Sequence, residues 1–359
     1  MFESKRLKKF KAYPVTSQKA WKVKSKNVHK CDWNESDNEL PDELKKDLIN
    51  HINNGKLSWY PDVQNEELIN LIAGYCAVDS KNVDYYSGSD SIHEILAKAF
   101  IDDGDKCLLI GPTYDNFRSV FESQGSKIIN FDAKRKYSFQ LTIEQIDDEI
   151  INKNPKVIYL CNPNNPTGII FGKDDVKRLI DKHINKLFII DEAYFEFSNE
   201  TLAHEISKHK NLIICRTFSK AFGLASFRIG YCISSVEILN IMKKIKNHKS
   251  ISTLAQISAI SILKNKKQMQ EYCKRVEKIK KKILALEKKY PDLFYVNSGN
   301  FFLLDSSKLA EDFLKIAENA NIFLRDLNHL NGMKNLIRVT ITTEKSFNKL
   351  FKLIEKNKK

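Results

Sequence analysis

The feature that most constrains the fold is an alternation, between residues 85 and 230, of short apolar runs with stretches of helical pattern. The runs are four to six residues long and rich in Ile, Leu or Val, as strands covered on both faces of a sheet are. Such alternation is typical of β-α-β units and predicts an α/β fold with a mostly parallel sheet. The predicted strands are Lys106–Ile110, Lys127–Phe131, Lys156–Cys161, Leu187–Ile190 and Leu212–Cys215.

The chain beyond this alternation has a different pattern. Neither Gly nor Pro occurs from Tyr231 to Tyr290, and apolar residues recur there at spacings of three and four, so we predict long helices. Strand-like residues 294–304 and 335–341, each followed by a helical stretch, then indicate a smaller α+β unit. A chain of 359 residues is also too long for one ordinary domain of about 150 residues. We therefore predict an N-terminal arm or small-domain segment (1–40), a large domain (41–245) and a small C-terminal domain (246–359).

Composition excludes several classes of protein. The hydrophobic fraction of 42% and the charged fraction of 29% are those of a folded protein rather than a disordered one. No apolar run approaches the roughly 20 residues of a membrane span, and the charged N-terminus precedes no apolar signal segment. We expect a cytoplasmic protein without a membrane partner. The seven cysteines form no C-x-x-C pair, so we expect no metal site, and Cys107, Cys161 and Cys215 lie in apolar runs typical of a core.

The positive net charge invites a nucleic-acid hypothesis. Lys and Arg exceed Asp and Glu by 59 − 45 = +14. Much of the excess lies in 264–267 and 274–282, where lysines alternate with apolar residues at helical spacing, as on a solvated helix face. The chain shows no recognition motif for nucleic acid, so we expect no nucleic-acid partner.

Two motifs follow predicted strands directly. The first, CNPNNPTG, spans Cys161–Gly168, and its Asn and Pro residues also suit a rigid strand-to-helix loop. The second, IIDEAYFEF, places Asp191 at a strand end and Tyr194 three residues later. A carboxylate beside a sheet interior is costly without a partner, and a protonated ring nitrogen of a cofactor is one candidate. The alternative is an N-cap for the next helix.

A third motif, RTFSKAFGLASFRIGY, follows the strand Leu212–Cys215. A lysine between strands and near a second cation, as Lys220 is near Arg228, can lose its proton and attack a carbonyl. Neighbouring hydroxyls, those of Thr217 and Ser219, could help hold a phosphate. The alternative is an ordinary surface lysine in a basic loop.

A fourth motif, YYSGSDSIHEILAKAF, opens a predicted helix. Gly88-Ser89-Asp90 precedes the apolar-periodic stretch, and Ser91 with Glu94 has the form of a capping box. Backbone amides at such a helix start bind phosphate. The alternative is a plain capped helix.

Together, NPNNPTG, DEAY and SKAFGLASFRIGY resemble the signature of fold-type I pyridoxal-phosphate enzymes. The resemblance is to class I/II aminotransferases of the histidinol-phosphate aminotransferase branch, and it covers about residues 55–345. It implies a fold-type I transferase that uses pyridoxal 5'-phosphate.

The resemblance also implies roles for individual residues. Lys220 matches the lysine that forms the Schiff base with the cofactor aldehyde, and Asp191 matches the partner of the pyridinium nitrogen. Tyr194 and Asn165 match the residues that bind the ring's phenolic oxygen. Tyr114, in GPTYDNF, matches the aromatic residue that stacks on the ring. Lys220, Asp191 and Tyr194 would thus be the catalytic set.

For the cofactor phosphate, the resemblance implies a cradle of backbone groups, hydroxyls and a guanidinium, from Ser89, Asp90, Thr217, Ser219 and Arg228. Tyr60, in SWYPD, matches a tyrosine that reaches the phosphate from the neighbouring subunit, which implies a homodimer with shared active sites. Arg338, in LIRVTI, matches the arginine that binds the substrate carboxylate, and Asn300 and Arg325 are candidates for the same pocket.

The N-terminal segment departs from the family pattern. Family members carry a segment like SNENPxG, whereas Lys30–Pro41 reads KCDWNESDNELP and shares only Asn34-Glu35. Trp33 could line a pocket or fill a seam between domains, and we expect the seam. The expected activity is amino transfer, from L-glutamate to a small phosphorylated ketone such as imidazole acetol phosphate or dihydroxyacetone phosphate.

Two alternatives remain open at this stage. A decarboxylase of phosphoserine or phosphothreonine type would share the scaffold and differ in which bond to the α-carbon breaks. A non-catalytic protein could keep the scaffold and use its positive charge to bind nucleic acid, which salt-dependent duplex binding would reveal.

Overall fold

The computed structural model describes residues 2, 4–8, 10, 19–24 and 27–359. Within them, the large domain is built on a seven-stranded sheet of order β2-β8-β7-β6-β5-β3-β4. Its strands are β2 Val83–Tyr86, β3 Lys106–Gly111, β4 Lys127–Asp132, β5 Val157–Cys161, β6 Leu187–Asp191, β7 Leu212–Thr217 and β8 Gly230–Ser234. Strands β3 to β7 run parallel, whereas β8 is antiparallel to β2 and β7. The five predicted strands are confirmed, with ends that move by at most two residues.

Alternating side chains of this sheet pack into two separate cores. In β3, Leu108 and Ile110 join one apolar cluster, whereas Cys107 and Leu109 join the other. Cys161 and Cys215 are also fully buried, which confirms that these thiols pack as small core residues. Because both faces are covered, the strands read as continuous apolar runs in the sequence.

The helices of the described residues cover both sheets. They are α1 Lys19–Lys22, α2 Asp42–Asn54, α3 Glu66–Cys76, α4 Gly88–Phe100, α5 Asp115–Ser123, α6 Ile143–Lys153, α7 Lys173–Lys182, α8 Val236–Lys243, α9 Thr253–Lys264, α10 Lys267–Glu287, α11 Phe313–Asn319 and α12 Glu344–Asn357. No helix in the described part of the chain is long and apolar enough to cross a membrane.

Two predicted element starts are wrong. The glycine-free stretch from Tyr231 begins in β8 and becomes helical only at Val236, because its first residues pair with β2 and β7. Helix α4 begins at Gly88, so Ser91 lies inside the helix rather than at its N-cap, and the capping box with Glu94 does not form. The apolar periodicity begins later than the helix, because the first turn faces a polar cavity.

The small domain is built on a five-stranded sheet of order β1-β11-β12-β10-β9. Its strands are β1 His29–Cys31, β9 Phe294–Tyr295, β10 Phe301–Asp305, β11 Ile322–Asp326 and β12 Leu336–Thr340. The predicted strand 294–304 is split, because Gly299 turns the chain with a φ of 85°. The N-terminal segment contributes β1, which pairs in parallel with β11.

Helix α9 packs against the large domain. Although it follows residue 246, its buried Ala255, Ala259 and Ile262 belong to the apolar cluster of the large domain. Helices α2 and α3 are its main neighbours. The boundary at 245 and 246 therefore remains a proposal based on the sequence.

Candidate active site

The carboxyl ends of β5, β6 and β7 lie at one edge of the large sheet, where ligands bind in open α/β folds. A cavity of about 690 Å³ opens at this edge and reaches the small sheet. All the predicted site residues except Tyr60 and Asn300 line it, namely Ser89, Asp90, Tyr114, Asn165, Asp191, Tyr194, Thr217, Ser219, Lys220, Arg228, Arg325 and Arg338. Residues that are far apart in sequence thus share one wall.

Lys220 lies between the two domains. Its Nζ donates a hydrogen bond to the main-chain oxygen of Trp33 at 2.9 Å. Burial lowers the pKa of Lys220 to about 8, and the nearby positive charge of Arg338 adds to the effect, whereas Glu35 and Asp90 oppose it. A lysine with this pKa has a far larger neutral, nucleophilic fraction near neutral pH than an exposed lysine.

Asp191 ends β6 as a buried carboxylate with several partners. Its Oδ2 accepts a hydrogen bond from the hydroxyl of Tyr159 at 2.9 Å, and its Oδ1 accepts one from the amide of Ala193 at 3.0 Å. The Nε2 atom of His93 lies 3.4 Å from the same Oδ2. Because Ala193 lies in the loop after β6, Asp191 closes a turn rather than capping an α-helix.

Tyr159 and His93 were missed by the sequence reasoning. Tyr159 is a hydroxyl-bearing residue inside the apolar strand VIYLC, and His93 lies on the buried face of α4. A polar group within an otherwise apolar stripe is the signal that could have found both. Burial and the neighbouring Asp191 raise the pKa of Tyr159, which keeps its hydroxyl protonated as a donor to the carboxylate.

Tyr194 and Asn165 accept hydrogen bonds from residues on the small-domain side of the cavity. The Tyr194 hydroxyl accepts a hydrogen bond from Asn34 Nδ2 at 3.0 Å, and Asn165 Oδ1 accepts one from Arg338 Nη1 at 2.6 Å. Burial raises the pKa of Tyr194. Asn34 is buried and exchanges hydrogen bonds with Thr340 of β12. Asn34 therefore connects Tyr194 to the small sheet.

An anion cradle lies at the start of α4. Gly88 has a φ of 80°, which favours glycine, and a Cβ there would stand 2.7 Å from Arg228 Nη2 and displace the end of this guanidinium from the helix start. Arg228 also lies 3.1 Å from Asp90 Oδ2. Across the cradle, Thr217 Oγ1 donates to Ser219 Oγ at 2.9 Å. The helix N-terminus, two hydroxyls and one guanidinium fit a phosphate dianion.

Tyr114 contacts the same cradle. Its hydroxyl donates to Asp90 Oδ1 at 2.9 Å, and Asn116 donates to the same oxygen at 3.2 Å. Asp90 therefore ties the ring of Tyr114 and the guanidinium of Arg228 to the first turn of α4.

The opposite end of the cavity is cationic. Arg325 and Arg338 are paired in register on β11 and β12, and each exposes only 8% of its surface. Arg338 Nη2 also donates to the main-chain oxygen of Asp32 at 2.6 Å. His329 lines this end, and the positive charge of Arg325 assists burial in lowering its pKa. Two buried guanidiniums suit carboxylate or phosphate oxygens.

Trp33 contradicts its predicted place in a seam. The residue lines the cavity, and Lys220 donates a hydrogen bond to its main-chain oxygen. Lys30 Nζ lies 4.9 Å from the centre of its indole ring.

Tyr60 and Asn300 lie outside the cavity wall. Tyr60 exposes 76% of its surface in the loop before α3, where Lys249 Nζ lies 4.4 Å from its ring. Asn300 is fully buried, and its Nδ2 donates at 3.0 Å both to the main-chain oxygen of Asn34 and to the Tyr272 hydroxyl. Asn300 therefore positions Asn34, and the direct substrate contact expected for it has no support from this geometry.

A nucleophilic lysine, a buried carboxylate and a phosphate cradle on a fold-type I scaffold define the class of pyridoxal 5'-phosphate enzymes. The chain belongs to the family described as aminotransferase class I and II, which matches residues 27–354. Its cofactor is pyridoxal 5'-phosphate and its activity is that of a transaminase.

Named relatives are similar over nearly the whole chain. A dihydroxyacetone phosphate transaminase of Campylobacter jejuni is 36% identical over 359 residues, which cover 97% of this chain and 95% of that protein. A histidinol-phosphate aminotransferase of Caldanaerobacter subterraneus is 31% identical over 315 residues, covering 88% of this chain and 89% of that protein. A solved histidinol-phosphate aminotransferase of Sinorhizobium meliloti, in complex with pyridoxal-5'-phosphate, superimposes with a TM-score of 0.80 at 21% identity and covers 91% of each chain. These similarities confirm the predicted fold class and family.

Proposed function

We propose that this transaminase moves the amino group of L-glutamate to a small phosphorylated ketone of the dihydroxyacetone phosphate type. The observation that carries the proposal is the pair Arg325 and Arg338, buried in register on adjacent strands and facing the cavity that contains Lys220. Two guanidiniums suit a donor with two carboxylates and an acceptor with a phosphate.

Two observations support a triose rather than imidazole acetol phosphate. The relative with 36% identity is named for dihydroxyacetone phosphate. In addition, Trp33 lines the cavity that contains Lys220 and the two arginines, and a bulky indole there would leave less room for an imidazole ring. A decarboxylase is less supported, because the two relatives named above for their sequence identity, of Campylobacter jejuni and Caldanaerobacter subterraneus, are named as a transaminase and an aminotransferase.

The residues of the cavity suit each part of the cofactor. When bound, pyridoxal phosphate supplies a ring that withdraws electrons from the reacting carbon of the substrate. We infer that Lys220 holds the aldehyde carbon covalently and that the start of α4 with Arg228 holds the phosphate. Asp191, oriented by Tyr159, would lie beside the ring nitrogen and favour its protonated form. Tyr194 and Asn165 would bind the phenolic oxygen, and Tyr114 would stack on the ring.

Lys220 has a second task once the substrate amine replaces it. Its free amine would take a proton from the α-carbon of the amino acid and return one to the cofactor side. A pKa of about 8 suits this exchange, because both protonation states are then accessible near neutral pH. The carbonyl of Trp33, 2.9 Å away, would keep the amine pointed into the cavity.

We also propose that the protein is a homodimer and that it is cytoplasmic. Leu57, Trp59 and Tyr60 expose 54%, 66% and 76% of their surfaces in one loop, which supports a homodimer in which Tyr60 reaches the partner's phosphate cradle. Sedimentation of the holoenzyme would test the dimer, and a monomer would contradict it. All seven cysteines are free thiols, which supports a cytoplasmic location.

Half-reactions test the proposed substrates. L-glutamate added to the holoenzyme should change the visible absorbance of the cofactor and release one equivalent of 2-oxoglutarate. Dihydroxyacetone phosphate should then restore the absorbance, whereas dihydroxyacetone, the matched compound without a phosphate, should not. Release of carbon dioxide from phosphothreonine without 2-oxoglutarate from glutamate would contradict amino transfer.

A further inference from the structure

One lysine interrupts the buried face of α10. The neighbouring Val276, Ile279 and Ile283 are apolar and buried, as the helical spacing requires. Lys280 lies among them and exposes only 6% of its surface, although lysine side chains usually extend into solvent. An aliphatic residue would satisfy the packing of the helix better.

The amine of Lys280 forms no hydrogen bond or ion pair with any residue of the described chain, in contrast to the buried Lys246, which binds Asp84 at 2.7 Å. The amine keeps some contact with solvent, but an amine whose side chain is this deeply buried is costly without a partner, and proteins usually pair such a group. Burial lowers the pKa of Lys280 to about 8, so a counter-anion would favour its charged form.

Lys280 faces a second cavity of about 600 Å³, between α10 and residues 196–199. None of the residues that line it lines the active-site cavity. Phe197, Val276 and Cys273 provide apolar wall, and three exposed lysines surround Lys280, namely Lys274, Lys278 and Lys281.

Acidic residues offset only part of this charge. Glu196 accepts a hydrogen bond from Tyr75 at 3.2 Å, and burial raises its pKa to about 7, so it is partly neutral at physiological pH. Glu277 is exposed and lies 3.8 Å from Lys281. Outside the cavity wall, Glu344 Oε1 lies 2.8 Å from Lys278 Nζ. The four lysines still outnumber these three carboxylates.

We propose that this cavity is a second binding site, separate from the active site, for a small organic oxyanion whose charged group pairs with Lys280 Nζ. The apolar wall would hold the body of the ligand, and the lysines at the rim would attract it by long-range electrostatics. Phosphate esters and carboxylic acids share this chemistry. The proposal does not depend on the substrates of the transaminase.

Calorimetric titration of the holoenzyme with inorganic phosphate, and separately with citrate, tests the site. Lys280→Met keeps the length of the side chain and removes its charge. Lys288→Met makes the same charge change at the exposed residue directly after α10 and serves as the matched control. At least one anion should bind the wild type and Lys288→Met equally, and Lys280→Met weaker by roughly tenfold or more. The anion that shows this loss identifies the ligand as a phosphate or a carboxylate.

A second measurement uses the wild-type holoenzyme and needs no variant. Limited acetylation with acetic anhydride, read by mass spectrometry, reports the reactivity of individual lysines. The anion should protect Lys280 and leave Lys288 unprotected. Equal affinity of all three proteins, together with unchanged acetylation of Lys280, would overturn the proposal and leave the transaminase assignment unaffected.

Discussion

The Nζ atom of Lys220 donates a hydrogen bond to the main-chain oxygen of Trp33, 2.9 Å away. Lys220 follows strand β7 of the large sheet, whereas Trp33 follows β1 of the small sheet. The contact therefore joins the proposed nucleophile to the N-terminal segment that departs from the family pattern. It also explains how a segment unlike the family pattern reaches the reacting atoms.

The lowered pKa of Lys220 predicts the pH dependence of cofactor attachment. Only the neutral amine attacks an aldehyde, and the neutral fraction of a group of pKa about 8 rises steeply between pH 7 and 9. The rate at which the apoprotein binds pyridoxal phosphate covalently, followed by absorbance, should therefore have its midpoint near pH 8. Arg338→Met should move the midpoint upward by removing a nearby cation. A midpoint above pH 10 in the wild type would contradict the environment described for Lys220.

Asp191→Asn removes the buried charge proposed to face the ring nitrogen. We expect kcat to fall by about a hundredfold or more, because charge stabilisation in a dry site is a large part of catalysis. Tyr159→Phe removes one hydrogen bond to the carboxylate and should cost about 1 kcal/mol, or roughly fivefold in kcat. The absorbance of the bound cofactor against pH should shift in both variants. An unchanged profile in Tyr159→Phe would show that the tyrosine only packs.

Substitution of each of the two buried arginines should change the KM values for the amino donor and the acceptor ketone to different extents. Arg338→Met should raise KM for L-glutamate and for the ketone by roughly tenfold or more, because charge-assisted hydrogen bonds contribute about 1.5–3 kcal/mol. Arg325→Met should raise KM mainly for the phosphorylated ketone. Arg178→Met changes an exposed arginine on α7 and should leave both values unchanged. Equal effects of all three substitutions would remove the basis for the substrate proposal.

Trp33 should limit the size of the acceptor ketone that the cavity admits. Trp33→Ala keeps the carbonyl that binds Lys220 but removes the indole from the cavity wall. We expect kcat/KM for imidazole acetol phosphate to rise relative to that for dihydroxyacetone phosphate, because an imidazole ring needs the space. If the ratio of the two values stays constant in steady-state assays, Trp33 does not select the acceptor.

The sequence pattern alone was sufficient to locate those site residues that lie at the end of a single strand. Lys220 and Asp191 follow continuous apolar runs, and short strands of this kind are recognisable without tertiary contacts. The three residues of β1 carry no usable periodicity, and β1 exists only because it pairs with β11. Its role in the small sheet could not be derived from periodicity.

Contacts between residues far apart in the sequence could not be predicted from local sequence pattern either. The hydrogen bond from Asn34 to Tyr194 joins residues 160 positions apart. The register of Arg325 with Arg338 depends on the pairing of β11 with β12, which the pattern of neither strand shows. The placement of Trp33 was wrong for the same reason, since only the folded chain shows that Lys220 binds its carbonyl. Asn300 was a candidate for the substrate pocket by resemblance alone, and the sequence carries no sign of its hydrogen bond to the main-chain oxygen of Asn34.

Reduction of the holoenzyme with sodium borohydride, followed by digestion and mass spectrometry, tests the central assignment most directly. The reagent fixes the cofactor to the amine that holds it, so the account predicts a pyridoxyl group on Lys220 and the loss of this label in Lys220→Ala. A label on another lysine, with Lys220 unmodified, would contradict the active site described here.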